Sequence, residues 1–185
     1  MAGRKLTAQT DIPTDARESA VLVLLQEAGG DLEVTLIERT ADRSAHSGQI
    51  AFPGGRRDPE DASLLDTALR EAAEEVALEA AAVSVVGALT ALYIPVSRFH
   101  VYPFVAYAQA PLTLRPSPLE VARIIQTPLS LLFAPQNRII AEIKPVLTPK
   151  EPIEVPAYKL PDDGTLVWGA TAMILSELQT LLSYG

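Results

Sequence analysis

A chain of 185 residues has the length of one ordinary domain, enough to bury most of its surface around a single core, so residues 1–185 are read as one domain. With 48% hydrophobic and 21% charged residues the composition is that of a folded globular protein, and the absence of cysteine removes disulfides, thiolate nucleophiles and zinc-thiolate sites together. A formal net charge of −8 disfavours nonspecific binding to nucleic acid, and neither a membrane-length apolar run nor a signal peptide is visible, so the expected setting is cytoplasmic, with no nucleic-acid and no membrane partner.

Residues 1–17 show no sustained periodicity and are read as an N-terminal arm. Ala20–Gln26 is an apolar run of strand length, and Asp31–Glu38 alternates Leu32, Val34 and Leu36 with Glu33 and Thr35. Gly29 and Gly30 between them suggest a hairpin turn. Residues 39–63 are polar and glycine-containing, a loop of the kind that builds sites, and they run directly into a helix. That helix is predicted over Leu64–Val76, where Leu65, Ala68, Leu69, Ala72 and Val76 share a face and Ser63 with Asp66 resembles a capping box. Further strands are expected at Val83–Leu89, Phe99–Ala108 and Val121–Thr127, followed by a proline-punctuated stretch up to Pro161. Met173–Leu182 closes the chain as an amphipathic helix with Ile174, Leu178, Leu181 and Leu182 on one side, an apolar surface that is also the candidate for a homodimer contact. The mixture is α/β or α+β, without the regular alternation of a dinucleotide-binding sheet.

Chemistry concentrates on the first helix. Glu71, Glu74 and Glu75 stand at i, i+3 and i+4, so their carboxylates fall in one narrow sector. Like charges at that spacing cost helix stability and raise one another's pKa, and a divalent cation reverses the penalty. Mg²⁺ takes hard oxygen ligands and is commonly held by a few carboxylates together with substrate phosphates. The plain alternative is a solvated acidic face with Arg70 making surface ion pairs. The paired glycines Gly54 and Gly55, upstream of the capped helix start, are expected to let backbone approach a ligand closely.

This combination resembles the Nudix box, G-x5-E-x7-R-E-U-x-E-E-x-G-U with U an apolar residue. Arg70, Glu71, Glu74, Glu75 and Leu78 stand where the box wants them, Ala72 takes an apolar position, and Ala77 replaces the closing glycine. The early glutamate position is Ala62, with Asp61 beside it as the stand-in. Upstream, Leu36-Ile37-Glu38-Arg39-Thr40, then Arg43, Gly48 and Phe52-Pro53-Gly54-Gly55, is similar to the extra signature of coenzyme A pyrophosphatases. Val167-Trp168-Gly169-Ala170-Thr171-Ala172 is similar to that subgroup's end.

The resemblance implies an α/β/α sandwich on a mixed sheet with a loop-helix-loop metal site. It implies Mg²⁺ or Mn²⁺ on Glu71, Glu74 and Glu75, Arg70 orienting those glutamates, and Glu71 or Glu74 accepting the proton of the attacking water. Glu120 resembles a downstream glutamate with metal or base duty, and Arg39 and Arg43 are expected to meet substrate phosphates. The implied reaction is hydrolysis of a diphosphate bond in coenzyme A or its derivatives, giving 3',5'-ADP and 4'-phosphopantetheine. The rival expectations are another Nudix specificity such as ADP-ribose or a dinucleotide polyphosphate, a nucleotide-binding module that does not cut, and a plain interaction domain.

Overall fold

The computed structural model describes residues 12–40, 48–144 and 151–183. The longest strand, β1 (Arg17–Ala28), explains the unbroken apolar run at its centre: it lies between β2 (Asp31–Arg39) and β7 (Phe99–Ala108), with both its faces covered. β1 and β2 form an antiparallel hairpin in which Leu24 faces Thr35 and Ala28 faces Asp31. Gly29 and Gly30 close it with φ of 61° and 84°, the paired positive values that a two-residue hairpin turn requires. β1 and β7 run parallel, Arg17 opposite Phe99 through Gln26 opposite Ala108, and this pair makes the sheet mixed.

The remaining strands of the large sheet are β3 (Ile50–Ala51) on β2, β4 (Gly54–Arg56) on β1, β5 (Val83–Ala88) and β6 (Leu92–Ile94) on β7, and β8 (Val121–Pro128) on β2. Along β1 the pleat sends alternate residues to opposite layers. Ala20, Leu22 and Leu24 meet helix α1 (Leu64–Val76) through Ala68, Ala72 and Val76, all fully buried. Val23 and Leu25 join Val34, Leu36 and Phe52 on the other face, under helix α3 (Gly169–Leu182) with its Ile174, Leu175 and Leu178. A three-stranded antiparallel sheet, β9 (Arg138–Ile143), β10 (Ile153–Lys159) and β11 (Leu166–Trp168), adds Tyr158, Leu160 and Val167 to that second core. The short helix α2 (Leu129–Leu132) contributes Leu129 and Leu132. The class is α+β, a mixed sheet with few helices. Among the described residues no helix is long and apolar enough to cross a membrane.

Three expectations change. The segment 39–63, read as loop, holds β3 and β4, whose two and three residues are too short to show a period. The proline-punctuated stretch holds α2 and the strands β9 and β10 of the second sheet, with β11 following it, because Pro156 inside β10 obscures its alternation. The last helix begins at Gly169, and its Leu181 and Leu182 are exposed while Ile174, Leu175 and Leu178 are buried.

Candidate functional site

The site is assembled where β4 is pressed between β1 and α1. Gly54 has no room for a side chain: a Cβ there would meet Ala20 O at 2.3 Å and Val21 Cα at 2.6 Å. One residue on, a Cβ at Gly55 would stand 2.4 Å from the carboxyl carbon of Glu71. The two glycines therefore give β4 close contact with β1 and with the helix carboxylates.

Glu75 is fully buried, at 0% exposure, and is answered by two donors: the Gly54 amide at 2.8 Å and Arg39 Nη1 at 3.0 Å. Burial nevertheless pushes its pKa up to about 7, against Arg39 and the Gly54 N–H, with the charges of Glu71 and Glu120 adding to the rise. Glu71, 15% exposed, is raised too, first by burial, while Arg70 opposes and Glu74 and Glu120 reinforce. Glu74 is 56% exposed and meets Arg70 Nη1 at 3.3 Å.

Arg70 uses its whole guanidinium fork. Nε and Nη2 donate to the two carboxylate oxygens of Asp61 at 2.9 and 3.0 Å, Nη2 also to Arg56 O at 3.1 Å, and Nη1 to Glu71 at 3.1 Å. The same fork holds the Asp61 carboxyl far below the usual carboxylate range, with the Asp58 amide and Thr67 hydroxyl also donating to it. Asp61, the residue beside the box's early glutamate position, is thus the carboxylate that takes the Arg70 fork. Ser63 caps the helix, its hydroxyl accepting from the Asp66 amide at 3.2 Å, so α1 begins where Arg70 can reach back to the loop.

The other end of α1 brings in the downstream glutamate. The amides of Arg115 and Ser117 donate to Val76 O at 3.0 Å and Glu75 O at 2.8 Å, satisfying carbonyls the helix leaves open. The Thr40 amide and hydroxyl donate to Glu120 O at 2.9 Å and Leu119 O at 3.0 Å. Glu120 is thereby held between the end of β2 and the end of α1, exposed, with its charge felt by Glu71 and Glu75. Arg39 is ion-paired to Glu75. Arg43 and His46 lie outside the described residues. Among the described residues no three acidic or imidazole side chains converge on one point as they stand.

The helix spacing puts the three glutamates and Arg70 on α1, but no local pattern announces the pairing of Arg39 with Glu75 or the two amides closing α1. Those partners are 36, 42 and 39 residues apart in the chain.

The profile of the NUDIX domain matches residues 16–143. The chain belongs to the Nudix family. A Pectobacterium atrosepticum protein called Uncharacterized Nudix hydrolase NudL is 37% identical over 148 residues, 80% of this chain and 74% of that protein. Among solved structures, the Nudix hydrolase RenU from M. smegmatis aligns with a TM-score of 0.63 at 20% identity, covering 91% of this chain and 87% of that one. A binary complex of a C. elegans Ap4A hydrolase aligns with a TM-score of 0.59 at 16% identity, covering 91% and 99%. At those identities the structural matches speak for the Nudix fold.

Proposed function

We propose that this Nudix protein hydrolyses the diphosphate bond of coenzyme A or its derivatives, releasing 3',5'-ADP and 4'-phosphopantetheine or its acyl form. The observation that carries the reading is the contact of two separate motifs: Arg39, Gly54 and Gly55 of the upstream signature lie directly against Glu75 and Glu71 of the helix.

The donor set suits a hard divalent ion. It is all oxygen, and the carboxyls of Glu71 and Glu75 are already raised by burial and by their acidic neighbours, a repulsion that a cation relieves. Glu71, Glu74 and Glu75 would hold Mg²⁺ or Mn²⁺, which when bound supplies charge neutralisation for the diphosphate and acidifies a water. Arg70, anchored on Asp61, fixes the direction of Glu71 and Glu74. Glu71 and Glu74 are the candidates for taking the water's proton, and Glu120 is held near enough to add to the negative field. Arg39 is 32% exposed and keeps guanidinium donors beyond the one on Glu75, so a substrate phosphate is its second partner.

The test is product analysis after separate incubation with coenzyme A, dephospho-coenzyme A and ADP-ribose in Mg²⁺. Appearance of 3',5'-ADP from coenzyme A is expected. Cleavage of ADP-ribose in its place would keep the chemistry and overturn the substrate, and cleavage of none would leave a nucleotide-binding module.

A further inference from the structure

At the start of β1, a cleft of about 780 Å³ opens between the residues before that strand, the end of β4 and the first residues of β7. Its size is in the range of small-molecule sites. Arg17, Arg56, Arg57 and His100 line it together with Glu18 and Asp58. Three guanidinium groups in one cleft stand out in a chain whose net charge is −8.

The acids there are already engaged. Glu18 pairs with Arg57 at 2.9 Å, and Asp58 lies 3.8 Å from Arg70. Arg17 gives one donor to Ser97 O at 2.6 Å and stacks 4.2 Å over the Phe99 ring, and among the described residues its other N–H groups have no side-chain partner. Arg56 is exposed, and among the described residues its side chain makes no ion pair or hydrogen bond. His100 meets the Tyr102 hydroxyl through Nδ1 at 3.0 Å, while its Nε2 is buried without a partner. Phosphate oxygens are acceptors that suit guanidinium groups.

The cleft and the candidate site share strand β4. Gly55 touches Glu71, the Arg56 carbonyl accepts from Arg70 at 3.1 Å, and the next side chains along β4 are those of the cleft wall. We infer that the cleft is a subsite for a phosphomonoester that the substrate carries outside its diphosphate, with Arg56 and Arg17 as its donors. The inference rests on the diphosphate-hydrolase reading for the identity of that substrate.

Titration calorimetry on the full chain in the absence of divalent ion tests it, with adenosine 3',5'-bisphosphate and AMP as probes. The bisphosphate is expected to bind at least about tenfold more tightly, and the Arg17→Gln/Arg56→Gln variant to lose that preference while keeping its melting midpoint. In parallel, the ratio of KM for coenzyme A to that for dephospho-coenzyme A is expected to move toward one in the same variant. Equal affinities in the parent chain, or a preference that survives both substitutions, would overturn the subsite. If neither coenzyme is cleaved but the bisphosphate preference follows the arginines, the hydrolase reading falls and the subsite stands.

Discussion

Gly55 leaves a substituent nowhere to go except into Glu71, whose carboxyl carbon would be 2.4 Å from the new Cβ. That obstacle is the end of a flexible side chain, whereas at Gly54 the obstacle is the backbone of β1. Gly55→Ala is therefore expected to displace Glu71 and lower turnover by at least about tenfold with a small change in melting midpoint, and Gly54→Ala to lower the midpoint itself. Thermal melting beside a turnover assay separates the two. Asp61 offers a second check through pH. Arg70 holds its carboxyl well below the unfolded value of about 4, and a carboxyl depressed by folding stabilises above that value and loses its contribution as pH falls. The stability gap between the parent chain and Asp61→Asn, read by urea unfolding, is expected to be widest above about pH 4 and to close in acid. A gap independent of pH would mean that ionisation of Asp61 is not what matters. At this scale the glutamate spacing was legible because a helix period is local. The engagement of Arg39 with Glu75 was not, since it depends on β2 passing over the end of α1.

Helix α1 has the bounds the sequence suggested, Leu64–Val76, because its start is written in Ser63 and its apolar stripe is regular. Its end is unusual. Ala77 adopts φ 55° and ψ 37°, a left-handed conformation in which the box has glycine, and the Leu78 amide still closes back on Ala72 O at 3.3 Å. The alanine Cβ costs roughly 1–2 kcal/mol there, part of which glycine returns through a freer unfolded chain. Ala77→Gly is expected to stabilise the protein by about 0.5–1 kcal/mol, measured by urea unfolding; destabilisation would show that the Cβ is packed usefully. The elements that escaped the sequence, β3, β4, β6 and β9–β11, are two to seven residues long, and their strand character comes from the neighbours they pair with more than from their own pattern.

For the whole molecule, the mixed class followed from strands that differ in kind: a continuous apolar β1 in the middle and an alternating β2 beside it. The two cores lie on opposite faces of that same pair, Leu22 toward α1 and Leu175 of α3 toward the other layer. Since β1 and β2 belong to both, Leu22→Ala and Leu175→Ala are each expected to cost about 2–5 kcal/mol and to shift one shared unfolding transition. Two separable transitions would mean that the layers fold independently. The second sheet was invisible in sequence because its strand character comes from mutual pairing and Pro156 interrupts its central strand.

The most direct measurement is Mg²⁺-dependent hydrolysis of coenzyme A by the parent chain and by Glu75→Gln, a substitution that keeps an oxygen to accept the Gly54 amide. If the helix carboxylates hold the ion, the parent releases 3',5'-ADP, chelator stops it, and the variant stays folded with turnover reduced on the order of a hundredfold or more. Undiminished hydrolysis by a folded Glu75→Gln, or activity that survives thorough chelation, would contradict a metal centre on these glutamates.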